Sequence, residues 1–121
     1  MIAASEYDKM CQEGNPGLIE EFFSDTSVEE KDRILMYLKK WDTGARAPNS
    51  FYDVLTGKPI GGEYCLYCDG EFVWETNTVY YFEKYNLKLT DEFLKHVLSQ
   101  DAVTFKDIYM HRKHLEKRFG E

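Results

Sequence analysis

The chain has 121 residues, a length that fits one domain able to bury a core without disulfide staples. It is 43% apolar and 31% charged, which is globular composition, and its net charge of −7 argues against nucleic acid or an anionic membrane as a direct partner. The three cysteines are an odd number and make no complete disulfide framework, so a reducing cytoplasm is the expected setting.

Met1-Ile-Ala-Ala-Ser5 runs straight into charged residues, so neither a secretory leader nor a membrane span is expected. Ser5 to Glu13 place Tyr7, Met10 and Cys11 at helical spacing, and Gly14-Asn15-Pro16-Gly17 ends that helix. Leu18, Ile19, Phe22 and Phe23 form the stripe of a second short helix. Ser27 followed by Glu30 has the spacing of a capping box for a third, with Ile34, Leu35, Leu38 and Trp41 facing inward and Asp42-Thr43-Gly44 as its stop. Gly44 to Ser50 reads as loop. Phe51 to Leu55 is a short strand or a helical turn, and Thr56-Gly57-Lys58-Pro59 is a turn that lacks the pattern of a phosphate loop.

Residues 63 to 76 read as a β-hairpin about Asp69-Gly70, a pair that supplies the positive φ angles of a two-residue turn. That register pairs Cys68 with Glu71, Tyr67 with Phe72, Leu66 with Val73, Cys65 with Trp74 and Tyr64 with Glu75. Tyr67, Phe72, Cys65 and Trp74 then share the core face, while Tyr64, Glu71 and Glu75 face a partner or water. Further on, Asn77 or Thr78 caps a helix that Asn86 stops, and Thr90 caps another over Asp91 to Ser99. Thr104 with Asp107 opens the last helix, whose Phe105, Ile108, Tyr109, Leu115 and Phe119 point inward. The expected fold is a mostly helical α+β single domain, 1–121, with a small antiparallel hairpin or sheet near residues 63–76.

No catalytic signature is present: there is no Gly-x-Ser-x-Gly and no His-Glu-x-x-His, and His96 reads as an ordinary half-buried or surface residue. Cys65-Leu-Tyr-Cys68 with His111 and His114 is the one metal-like constellation. Positions three apart on a strand point to opposite faces, so the two thiols are not expected to share a metal, and no cofactor is expected.

Charge is more informative. No Lys or Arg lies between Lys9 and Lys31, where six acids stand, and none between Lys58 and Lys84, where Glu63, Asp69, Glu71, Glu75 and Glu83 mix with seven aromatics. Residues 104–121 carry +2 and leave −9 for the rest, so the last helix is a solvated face or an internal partner for the acidic stretches. Acids beside aromatics suit a protein interface, in which rings anchor and charges steer. The expected partner-binding residues are Tyr64, Asp69, Glu71, Glu75, Glu63 and Glu83. The competing reading places all the aromatics in the core.

The segment from Gly62 through Cys65-Leu-Tyr-Cys-Asp-Gly-Glu-Phe-Val-Trp-Glu75 to Tyr85, followed by Leu89-Thr-Asp-Glu-Phe-Leu94, resembles the small acidic immunity proteins of bacterial toxin–immunity systems, in particular contact-dependent growth inhibition. These proteins share role and size rather than a motif, so no site residue is carried over. The resemblance implies a cytoplasmic inhibitor that covers a cognate toxin domain, often a nuclease with a basic cleft; a non-enzyme, monomeric or dimeric, is expected. A metal-binding regulatory module on Cys65 and Cys68 and a small enzyme with a carboxylate site are the alternatives.

Overall fold

A computed structural model of the chain describes residues 1–14 and 19–119, without the side chain of Phe119. The expected turn at Asn15-Pro16-Gly17, Leu18 and the inward placement of Phe119 lie outside the described residues. The elements in order are β1 (Ile2–Ala3), α1 (Glu6–Gln12), a 3-10 turn (Ile19–Phe22), α2 (Lys31–Lys40), β2 (Asp42–Pro48), β3 (Glu63–Cys68), β4 (Phe72–Glu75), α3 (Thr76–Tyr85), α4 (Asp91–Leu98) and α5 (Phe105–Phe119). The fold is α+β, as the alternation of helical and strand patterns implies.

The hairpin belongs to a larger, mixed sheet of order β1-β4-β3-β2. β1 runs parallel to β4, and β2 is an antiparallel edge strand with an irregularity between Asp42 and Arg46. Gly44 to Pro48, expected as loop, is therefore strand. An edge position tolerates Pro48, whose nitrogen has no proton to give to a ladder.

The core face of the hairpin, with Cys65, Phe72 and Trp74 buried and Tyr67 half-buried, is as expected, but the register is not. Leu66 pairs with Glu75, Tyr67 with Trp74 and Cys68 with Val73, a slip of two residues that preserves which side each residue faces. The cause is the Asp69 side chain. Its Oδ1 accepts the N–H groups of Glu71 (2.9 Å) and Phe72 (2.8 Å), and this lengthens the turn to Asp69–Phe72. Of the two turn residues, only Gly70 takes a positive φ.

Trp74 lies at the centre of the core. Its ring packs against Tyr37 of α2, Phe93 of α4 and, in parallel at 5.9 Å, Tyr67, and its Nε1–H donates to the Leu38 carbonyl (3.0 Å). Ile34 and Leu38, one turn apart on α2, are buried with Phe72, Phe82, Leu87, Leu89 and Val97. Each such side chain contributes roughly 1.5–3 kcal/mol of transfer free energy.

Two expected caps fail for identifiable reasons. Lys31 Nζ donates to Asn86 Oδ1 (2.6 Å) and to the Glu83 carbonyl (2.9 Å), which ties the start of α2 to the end of α3. The helix accordingly begins after Glu30, in a left-handed conformation at φ +56° with no side-chain cap. Glu30 pairs with Arg33 (3.2 Å), and the Ser27 hydroxyl turns to Asn86. Similarly, α3 springs directly from β4 with Glu75 at its N-cap, so Asn77 and Thr78 lie inside the helix and bond elsewhere.

Asn86 does stop α3, at φ +55°, and Thr104 and Asp107 exchange reciprocal bonds at the start of α5. Thr90 caps α4 by accepting from Phe93 N–H (3.2 Å). Thr90→Ala is expected to lower stability by about 1 kcal/mol in urea titrations, with an unchanged m-value.

Of the inward set on α5, Leu115 is buried and Ile108 half-buried, whereas Phe105 is 80% exposed and Tyr109 also faces solvent. Only a narrow stripe of this helix meets α2 and β2. No helix among the described residues is long and apolar enough to cross a membrane.

Candidate protein-binding surface

The residues that sequence reasoning assigned to a partner are dispersed. Glu71 is exposed beside His96, and Glu83 is exposed and pairs with Lys39 (3.6 Å). Glu63 is exposed next to Arg46 (3.6 Å). The Asp69 side chain is only 1% exposed. Besides holding its own turn, it accepts the Tyr37 hydroxyl (2.6 Å) and lies 2.9 Å from His96 Nε2. Burial alone would raise its carboxyl; the Tyr37 hydroxyl, the two turn amides and His96 instead hold it below the usual range.

Glu75 does not face solvent. It is 8% exposed, accepts the hydroxyl of half-buried Tyr64, and has its carboxyl pushed up by burial, which the neighbouring Tyr7 hydroxyl only partly offsets. Its outward orientation was read from strand alternation, which stops applying where the chain turns into α3.

Phe72, Trp74, Tyr81 and Phe82 are buried, and Tyr64, Tyr67 and Tyr80 are half-buried, so the aromatics of the second acidic stretch serve mainly the core. Cys65 is buried and accepts a hydrogen bond from Arg46 Nη1 (2.8 Å), while the Cys68 sulfur accepts from Gly70 N–H. His111 Nε2 donates to the Asp42 carbonyl (2.7 Å). Among the described residues, no three His, Cys, Asp or Glu side chains converge as a metal site.

Exposed apolar side chains stand on α5, at Phe105, Tyr109 and Met110, and, closest together in sequence, on the loop before β3. Phe51, Tyr52, Val54 and Leu55 are between 47% and 63% exposed. Between them Asp53 is 1% exposed and anchors the loop. Its Oδ1 accepts the N–H groups of Leu55 (2.8 Å) and Thr56 (3.0 Å), an Asx turn. Its Oδ2 accepts the hydroxyls of Tyr80 and Tyr85, each at 2.6 Å, with Lys84 Nζ at 3.6 Å.

Burial would raise the Asp53 carboxyl, but the two tyrosines and two amides more than offset it and hold it well below the usual range. The bond to Asp53 in turn pushes Tyr85 up to about 12.

The backbone is pinned as well. Asp53 N–H donates to the Lys58 carbonyl and Gly57 N–H to the Asp53 carbonyl, both at 2.8 Å, and Gly57 takes the φ of +71° that this closure needs. Tyr81 Oη donates to the Tyr52 carbonyl and accepts Val54 N–H, each at 3.3 Å.

One side of the loop rests on β3, where Phe51 stacks on Tyr64 at 5.7 Å while Glu63, the next residue, pairs with Arg46. On the other side, Leu55 shares a shallow cleft of about 340 Å³ with Asp25, Phe23 and Tyr85. Lys84 is engaged with Asp53 and with the Tyr80 and Tyr85 rings, which leaves Lys58 as the loop's own cation. The segment, expected as a short strand or a helical turn, is neither a strand of the sheet nor a helix: Tyr52 makes one isolated bridge with Pro59, and Asp53 to Gly57 close a turn. The chain matches no protein-family model, no curated protein and no solved structure.

Proposed function

We propose that this protein is an immunity-type inhibitor that acts in the cytoplasm by binding a cognate toxin domain with a basic face, such as a nuclease. The 51–55 loop is its anchor. The observation that carries this reading is the combination of four exposed apolar side chains with a backbone fixed from beneath by buried Asp53. Exposed apolar patches mark interaction surfaces, and a loop already ordered loses little entropy on docking. Exposed Asp25, which shares the cleft beside Leu55, and the net charge of −7 favour a basic partner and speed its approach.

The test is calorimetric titration of the chain with the products of its flanking genes. One of them is expected to bind with a dissociation constant of about 10 nM or tighter. Leu55→Asp, at an exposed position, is expected to weaken that binding at least about 100-fold, or about 2.7 kcal/mol, with an unchanged circular dichroism spectrum. Glu71→Lys, on the hairpin turn, is expected to change it by less than about threefold. Equal effects of the two substitutions place the interface elsewhere, and micromolar or weaker affinity for every neighbour discards the inhibitor reading.

A further inference from the structure

A second concavity, independent of the 51–55 loop, has the opposite electrostatic character. A groove of about 570 Å³ opens where α2, β2, β3 and α5 meet. Four cationic side chains from three elements converge on it: Lys39 and Lys40 from α2, Arg46 from β2 and Arg112 from α5. The groove also contains acids, but they are engaged. Arg46 lies 2.5 Å from Asp42 and 3.6 Å from Glu63, and Glu116 pairs with Lys113 at 3.3 Å. Lys39 is paired with Glu83. Arg112 and Lys40 therefore make no ion pair within 4 Å among the described residues; Lys40 lies over the Trp41 ring at 4.2 Å, and its charge also reaches Asp107.

The rest of the lining is Gly44, His111 and three larger apolar or aromatic side chains. Half-buried Tyr67 is held flat against Trp74, with an interplanar angle of 7°, and Ile108 and Leu115 complete the lining. The volume falls within the usual range for small-molecule sites, roughly 300–1,000 Å³. In a chain of net charge −7, such convergence is a local reversal of the surrounding field. Of the five cations in residues 104–121, Arg112 is the one that lines the groove. Lys113 bonds within its own helix, and α5 packs on α2 and β2, where Arg112 faces the groove.

We propose that this groove binds a small organic anion, a phosphate or carboxylate carried on a single aromatic ring. The ring rests on Tyr67 and Leu115, and the anionic group meets Arg112 and Lys40. The probe is phenyl phosphate, titrated into the full chain and followed by amide and side-chain NMR shifts. Saturable binding with a dissociation constant of about 1 mM or tighter is expected, with shifts centred on Tyr67, His111 and Arg112.

Phenol and inorganic phosphate, which lack the charge and the ring respectively, are each expected to bind at least about tenfold more weakly. Arg112→Glu, at an exposed position, is expected to abolish binding, and Lys88→Glu, exposed and outside the groove, to leave it unchanged. Several results overturn the assignment: no saturation, shifts centred elsewhere, equal binding of inorganic phosphate, or insensitivity to Arg112→Glu. None of these readouts depends on the toxin-binding reading.

Discussion

Replacing Asp53 with alanine is expected to cost about 3 kcal/mol of stability and to release the 51–55 loop. The carboxylate accepts two hydroxyls and two amides while almost fully buried. Charge-assisted hydrogen bonds are the strong class, and removal of a shared acceptor orphans every donor at once. Tyr80 and Tyr85 are only half-buried, so their freed hydroxyls reach water, which holds the loss near 3 kcal/mol rather than 5. For a chain of this length that lowers the melting temperature by roughly 12 °C.

The pH dependence has a defined sign. The folded carboxyl titrates below the unfolded one, so its contribution is complete above about pH 4 and fades as the pH falls through the lower folded value. The gap between wild type and Asp53→Ala is therefore expected to narrow in strong acid, measured by urea unfolding from pH 7 down to pH 2. A gap that stays constant to pH 2 shows that a charged anchor is not what holds the loop. Asp53→Asn keeps an oxygen for the Asx turn but loses the charge that the tyrosines address, so about half the cost is expected. If the loop is the toxin anchor, affinity falls with its order, although Asp53 itself touches no partner.

What the sequence revealed divides along physical lines. Thr90, Asn86 and the Thr104–Asp107 pair were legible because a helix end is satisfied by residues within a few positions of it. The core side of the hairpin was legible because strand alternation has a period of two, though Glu75 on the other side is buried where the chain enters α3. Its register was not, because Asp69 captures two amides with its side chain, a choice reinforced by Tyr37 and His96, which are distant in sequence.

β1, two residues long, carries no period to read, and β2 has almost none of the residues that favour strands; both exist through pairing with distant partners. The candidate surface was hidden for a related reason. Composition marks segments rich in acids and aromatics, but burial is a tertiary property. The fold turned the aromatics of β3, β4 and α3 toward the core and left a loop of unremarkable composition outside. Tyr64, of the residues first assigned to a partner, does lie beside it, stacked on Phe51.

Stability is expected to fall by about 4 kcal/mol between pH 4 and pH 8 on account of Asp8 alone. This carboxyl lies under the junction of α1 and α3, accepting the Ser5 hydroxyl (2.6 Å) and the Thr78 hydroxyl (2.7 Å). Burial is the main influence and raises it to about 7; the two hydroxyls lower it in part, and nearby Glu75 raises it further. Below about pH 4 the folded and unfolded chains both keep the proton, and Asp8 costs nothing. Above that the unfolded chain ionises while the folded chain holds its proton, so stability falls by about 1.4 kcal/mol per pH unit until the folded group also ionises near pH 7. Glu75, also shifted upward by burial, adds to the slope in the same direction. Asp8→Asn removes the ionisation while keeping an acceptor for one hydroxyl and a donor for the other. The variant is expected to match wild type within about 1 kcal/mol at pH 4 and to exceed it by about 3 kcal/mol at pH 8, measured by urea unfolding at each pH. A difference that does not grow with pH shows that Asp8 ionises in the folded protein as it does in the open chain, and that its hydroxyl partners fully offset its burial.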